Sequence, residues 1–245
     1  MTLGHKLAKL FRAETWRRMW RRLDRVLDPI PIQPLLARID RERLESLRRK
    51  HGSPAADAHP NCRHYAKYLD VKEHLPINVR RAHYLRLHHP PTKDILDIGC
   101  GAGFFLFVAQ SLGHRGLGLD VSGVPLFDEM VELLRVERRI EPIRKLQPLP
   151  DLGRRFDLIT AFSPAFHGGR GTSWDWGAHE WDFLVSDLER HLKPGGQIFF
   201  GLNPAYDGKF YTAEILALFL RRGATVEREN VLFAPKQPEP SRVRG

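Results

Sequence analysis

The chain has 245 residues, of which 42% are hydrophobic. That is enough to build a sizeable core and too apolar for a disordered chain. No apolar run approaches the ~18 residues needed to span a bilayer; the longest strongly apolar stretch, "FFLFVA" from Phe104, has six residues. The formal net charge of +10 is unevenly spread. Residues 1–50 hold 14 Lys and Arg against 6 Asp and Glu, a balance of +8, so the other 195 residues carry 25 basic and 23 acidic groups, or +2.

Cys62 and Cys100 are the only cysteines, too few for a thiolate zinc cluster, so both are expected to be reduced and no metal site is expected. The basic N-terminus has no uninterrupted apolar segment behind it, so the expectation is a cytoplasmic protein, with peripheral membrane contact left open.

In chain order, "LGHKLAKLFRAETWRRMWRRLDRVLDP" places Leu3, Leu7, Leu10 and Phe11 on one helical face and Trp16, Met19, Trp20, Leu23 and Leu27 on another. The spacing predicts two short helices, or one whose contact face changes near Ala13 to Thr15. Pro29, Pro31 and Pro34 interrupt the chain, a helix "LLARIDRERLESLRRKHG" stops at Gly52, and "GSPAADAHP" reads as a linker. Helical pieces follow around Tyr65 to His74 and Val79 to His88, then the strand "DILDIG". After it come a helix "GFFLFVAQSLG", a strand "GLGLDV", a helix "PLFDEMVELLRVERR" and a strand near Ile143. A strand "FDLITAF", a helix "HEWDFLVSDLERHL", a strand "GQIFFGLN", a helix "TAEILALFLRRG" and short strands near Thr225 to Glu227 and Val231 to Phe233 complete the pattern. Strands alternating with helices imply an α/β fold, a doubly wound and mostly parallel seven-stranded sheet with helices on both faces and an N-terminal helical extension. The expected organisation is a basic helical extension over 1–60, an α/β domain over 61–234 and a disordered tail over 235–245.

In an open parallel sheet, ligands gather beyond the carboxyl ends of the strands, where the first strand hands over to its helix. "DIGCGAGF" falls there. Gly99, Gly101 and Gly103 can take positive φ and let a ligand lie against the peptide plane. The spacing is G-x-G-x-G, with Phe104 where a dinucleotide fingerprint has its third glycine, and no G-K-[ST] follows to cradle phosphates. Asp120, 23 positions after Asp97 at the tip of the second strand, is placed to accept both hydroxyls of a ribose.

With those residues in place, the chain resembles the class I S-adenosylmethionine-dependent methyltransferases. "LDIGCGAG" is similar to their first motif, "GLGLDVS" to their second, "RFDLITAF" to their fourth strand, and "LERHLKPGGQIFFGLN" to the helix, turn and fifth strand after it. The resemblance covers roughly residues 77 to 233. It implies that Asp97 receives the methionine amino group, directly or through water, while the backbone of Gly99, Cys100, Gly101 and Gly103 lies along the methionine and sulfonium portion. It further implies Asp120 on the ribose, Val121 on the adenine, and backbone contacts from Leu146, where an acidic residue is more usual.

The loop "SPAFHGGRGTSWDWGAHEW" after the fourth strand occupies the acceptor side in that fold. His167 is the candidate catalytic base, with Asp175 and His179 as further titratable groups; Trp174 and Trp176 could wall a flat or apolar acceptor, and His179 is a candidate acceptor contact. Trp181 is expected to anchor the core with Leu184 and Leu188. For residues 31–90 a helical cap over the cofactor cleft with a solvated arginine face is favoured. Residues 1–27 fit an anionic membrane surface, a partner protein or nucleic acid. The expected function is methyl transfer to a small, lipid-like or aromatic acceptor. The alternatives are an RNA or protein methyltransferase gripping through the basic arm, and a non-catalytic scaffold that keeps the cofactor fold.

Overall fold

The computed structural model describes residues 23–52, 65–168 and 175–234. Most of the expected N-terminal helices, most of the linker, Trp174 and the expected tail lie outside them. Contacts divide the chain into two units, Met1–Pro91 and Thr92–Gly245. The helical residues before the first strand fall in the first of these units.

In that unit, residues 23–27 are helical, and α1 (Ile32–Ala37) and α2 (Arg41–His51) follow. The expected single helix over this segment is two. Asp40 breaks it, because its carboxylate accepts the Arg43 N–H at 3.0 Å and starts a new helix as an N-cap. After the 3-10 turn Ala66–Leu69, one helix α3 (Val71–Tyr84) replaces the two expected pieces. Asp70 caps it by accepting from Lys72 N and Glu73 N at 3.1 and 3.2 Å, and Pro76 is tolerated inside. Leu35, Leu44, Leu47, Leu69, Leu75 and Ala82 form its buried side.

The second unit is a seven-stranded sheet in the order β3-β2-β1-β4-β5-β7-β6. Its elements are β1 (Asp94–Ile98), α4 (Phe104–Ser111), β2 (Arg115–Asp120), α5 (Pro125–Leu133), β3 (Arg138–Ile140) and β4 (Phe156–Phe162). There follow α6 (Ala178–Arg190), β5 (Leu192–Gly201), α7 (Ala213–Arg221), β6 (Thr225–Glu227) and β7 (Asn230–Phe233). β1 to β5 pair in parallel; β7 runs antiparallel to both β5 and β6. β1 is buried along its whole length, as expected of a strand covered on both faces.

α5 ends earlier than its apolar spacing predicts, and β3 lies earlier than the strand expected near Ile143. Arg135 turns into the left-handed region at φ 54° and Val136 N bonds back to Val131 O at 2.9 Å. This closes the helix at Leu133, five residues before "RR", and frees Arg138–Ile140 to pair with Gly118–Asp120. At the amino ends of the strands, the carboxylate of Asp94 meets Arg115 and Lys193, and Lys193 reaches Asp157 at 2.8 Å. Trp181 lies at the centre of the core with Leu184, Leu188, Phe200 and Phe219, as its spacing predicts.

Candidate active site

The site is built where β1 and β2 deliver their carboxyl ends side by side. The turn after β1 is held to β2 by two bonds into one carbonyl: Gly99 N and Cys100 N donate to Leu119 O at 2.8 and 3.1 Å. Gly99, Gly101 and Gly103 have φ of 70°, 54° and 81°, so the alternation in "GCGAG" is a run of left-handed positions that only glycine takes without strain.

The three glycines serve different ends. A Cβ at Gly99 would meet nothing within 4 Å, so its open face is free for a ligand. A Cβ at Gly103 would press on Val136 Cγ2 at 3.3 Å, so that glycine lets α4 start against the end of α5. Gly101 faces the Phe127 ring at 3.8 Å. Two further glycines, in β2, were not singled out by the sequence reading. Gly118 lies under Cys100 and Gly116 under Leu106, with ideal Cβ positions 2.5 and 2.8 Å from those side chains. "GLGL" is therefore bare so that the turn and α4 can lie directly on the strand, and its alternation with leucine was the available signal.

Asp120 ends β2 half-buried. One carboxylate oxygen accepts the Gly101 N–H and the other accepts the Val121 N–H at 2.7 Å. Burial raises its pKa; the Val121 and Gly101 hydrogen bonds and the Arg138 charge oppose the rise without cancelling it. A carboxylate offers about four lone-pair directions, so two remain for hydroxyl donors. Val121 follows it and Ile140 pairs with it across the sheet, both large apolar side chains left in solvent, as is Leu146 further along the chain. Val121 is 51% exposed, Ile140 48% and Leu146 43%. Exposed apolar neighbours beside a paired acceptor suit a flat ring carrying a diol.

Asp97 is almost fully buried on β1, and Thr160 Oγ1 of the neighbouring β4 donates to its Oδ1 at 2.7 Å. Thr160 is the lone hydroxyl in the otherwise apolar interior of "FDLITAF", placed opposite Asp97 by the β1–β4 register, a pairing that motif spacing does not reveal. Cys100 is buried, and burial with the nearby charges of Asp97 and Asp120 pushes its thiol up, so it is an inert packing group.

On the expected acceptor side, β4 leaves the sheet at Ser163, whose N–H donates to Gly201 O at 2.7 Å. His167 is fully buried, edge-on to Trp181 at 5.0 Å between ring centres and to Phe166 at 5.5 Å. Burial lowers its pKa to about 4. Trp176 is also in the core, 5.1 Å from Phe166 and 5.9 Å from Trp181. Asp175 pairs with Lys145 at 3.1 Å, and His179 is exposed in the first turn of α6, beside Glu180, which accepts the Gly177 N–H at 2.8 Å. The fold thus brings Asp97, Gly99, Gly101, Asp120 and Val121 together and puts His167 and Trp176 into an aromatic core.

Residues 96–200 match the family model described as a methyltransferase domain. A ubiquinone biosynthesis O-methyltransferase from Acinetobacter baylyi is 27% identical over 116 residues, 44% of this chain and 42% of that protein. A cypemycin N-terminal methyltransferase from a Streptomyces species is 29% identical over 107 residues, 44% of this chain and 40% of that one. A ubiquinone biosynthesis O-methyltransferase from Pseudomonas fluorescens is 29% identical over 140 residues, 54% and 55%. The chain thus spans about half the length, or less, of these curated relatives. Among solved structures, DesVI of Streptomyces venezuelae aligns with TM-score 0.47 and 18% identity over 72% of this chain and 98% of its own. Residues 96–200 thus match a methyltransferase-domain model, and they lie within a mostly parallel seven-stranded sheet of the class I methyltransferase type.

Proposed function

We propose that the protein transfers a methyl group from S-adenosylmethionine to a small acceptor of aromatic or lipid-like character. One observation carries the donor half: an open left-handed glycine, Gly99, beside a half-buried carboxylate, Asp120, with lone pairs to spare and exposed apolar neighbours in Val121 and Ile140. The residues present fit the cofactor on that ground. Asp120 would hold the ribose hydroxyls, each a charge-assisted bond of roughly 1.5–3 kcal/mol. Val121, Ile140 and Leu146 would cover the adenine, and the backbone at Gly99 would pass the methionine portion. Asp97, oriented by Thr160, would meet the amino group. When bound, S-adenosylmethionine supplies a methyl group on a positively charged sulfur.

The chain's own contribution is alignment, which can supply up to ~7–11 kcal/mol by effective molarity. His167, held neutral and out of solvent, serves the aromatic core that carries the loop rather than removing a proton. The acceptor half is supported by the near-neutral charge of residues 51–245 and by the O- and N-methyltransferase names of the relatives. No helix among the described residues is long and apolar enough to cross a membrane.

Calorimetry with S-adenosylmethionine and S-adenosylhomocysteine tests the donor site. Both should bind wild type, and Asp120→Ala should weaken them at least ten-fold; equal binding by the variant defeats the assignment. A labelled-methyl screen of extract fractions tests the acceptor. Label in small metabolites or lipids supports the reading. Label in RNA, lost with rising salt, would instead favour the basic arm as a nucleic-acid grip.

A further inference from the structure

We propose that Asp24, Asp28, His88 and His89 of the N-terminal unit form a binding site for a divalent transition-metal ion of the zinc class. Methyl transfer has no use for it, and the cysteine count gives no hint of it.

The first pair of ligands comes from one turn of helix. Asp24 and Asp28 are four residues apart, and Asp28 N donates to Asp24 O at 2.8 Å, which stacks the two carboxylates on one face. The second pair comes from the turn that ends α3. Arg86 takes φ 55°, Leu87 N bonds back to Ala82 O at 2.9 Å and His89 N to Arg86 O at 3.2 Å, so His88 and His89 emerge together.

The four side chains then meet. His88 Nε2 lies 3.2 Å from Asp24 Oδ2 and 4.0 Å from Asp28 Oδ2. His89 Nε2 lies 3.5 Å from Asp24 Oδ1, and its Nδ1 lies 3.9 Å from Asp28 Oδ2. Ligands at ~2.0–2.1 Å from a tetrahedral zinc are about 3.3 Å apart, and these four contacts span 3.2 to 4.0 Å. His89 can give one ion only one of its nitrogens, and either one is close to a carboxylate.

An ordinary histidine–aspartate pair would put the same groups near each other, but with the N–H aimed at the carboxylate. Here the His88 side chain is 5% exposed and neither ring nitrogen makes a hydrogen bond of acceptable geometry; nor does His89 Nε2. Buried polar atoms are normally satisfied. Nitrogens and carboxylate oxygens that gather this closely, with angles too poor for well-formed hydrogen bonds, stand as ligands do around a shared centre. Asp28, His88 and His89 bring one ligand atom each within 4.8 Å of one another, as do Asp24, His83 and His88. His83 is left out of the set because its Nε2 accepts the Ile30 N–H at 3.2 Å; it packs on the His88 ring at 4.3 Å and fixes it.

Two imidazoles and two carboxylates point to the identity of the ion. The imidazoles favour zinc and its neighbours over magnesium or calcium, and the carboxylates offset its charge. The ion would fasten helical residues 23–27 to the end of α3, a staple of the kind that small helical units with limited cores use.

The test uses the full-length, tag-free chain, stripped with a chelator and dialysed against zinc, with bound metal measured by mass spectrometry and cobalt(II) substitution followed in the visible. Expected are about one zinc per chain, visible bands of a low-symmetry cobalt site, and an affinity at least 10-fold weaker in His88→Gln and Asp24→Asn. Should His88→Gln fail to fold by circular dichroism, the more exposed His89→Gln decides in its place. Zinc no higher in the protein compartment than in buffer, or variants that bind as wild type does, would overturn the proposal and leave an ion-paired cluster only.

Discussion

Replacing His167 by phenylalanine asks whether that imidazole is a base or a core group. It is fully buried against Trp181 and Phe166, and burial brings its pKa from 6.5 to about 4. The unfolded chain takes a proton on this histidine near pH 6.5, the folded chain only near pH 4. Between those values the unfolded state binds more protons, so stability rises with pH and is lost on acidification. At 1.36 kcal/mol per unit, roughly 2.5 units correspond to about 3 kcal/mol. Above pH 6.5 the imidazole is neutral in both states and the contribution is flat. His74, His83, His88 and His191 are also lowered by burial and tilt the profile in the same direction, so the quantity to read is wild type minus His167→Phe. Urea unfolding followed by tryptophan fluorescence at steps from pH 7.5 to 4.5 gives it. The variant should lose stability less steeply than wild type, with the gap closing by about 2–3 kcal/mol over that range, and methyl transfer should persist. Parallel stability profiles, or loss of transfer with cofactor binding intact, would refute the buried-core reading and restore His167 as a base.

Two further substitutions probe the architecture that presents the site. Gly118→Ala puts a Cβ 2.5 Å from Cys100 Sγ, an overlap that should cost ~1–3 kcal/mol. Cys100→Ala in the same chain should recover part of it, and strictly additive losses in thermal melts would show that the two do not touch. Thr160→Val removes the hydroxyl that donates to Asp97 and should cost ~1.5–3 kcal/mol while weakening S-adenosylmethionine in calorimetry. Thr160→Ser should keep most of the binding; if it binds as poorly as the valine variant, the hydroxyl has no role in orienting Asp97.

The sheet was legible because its signals are local. β1, β2, β4 and β5 are apolar runs of strand length, bounded by glycine or proline, and each helix between them has a continuous apolar face. The misplacements occur where one residue's side chain or backbone overrides the pattern. Asp40 splits a helix whose periodicity continues across it, by capping Arg43 N. Arg135 stops α5 by entering a left-handed conformation that nothing in "LLRVERR" announces, and β3 moves forward as a result. Two expected pieces merge in the same way: Asp70 caps Lys72 N and Glu73 N, and α3 runs on through Pro76 to Tyr84.

The site divides along the same line. The placement of Asp97, Asp120 and Gly99 at adjacent strand ends was readable because spacing after a strand reveals it. Thr160 and the histidine–aspartate cluster were not, because each depends on a pairing between segments distant in sequence: 63 residues between Asp97 and Thr160, and a helix-to-turn encounter for Asp24 and His88. His167, a candidate base by residue type, is placed differently from what a polar, glycine-rich loop suggests: "AFH" is followed by Trp176 and Trp181, and the imidazole packs edge-on to Trp181. Once an imidazole is enclosed by aromatic rings, desolvation decides its charge state whatever chemistry its type would allow. The apolar residues at the loop's ends decided where the histidine went.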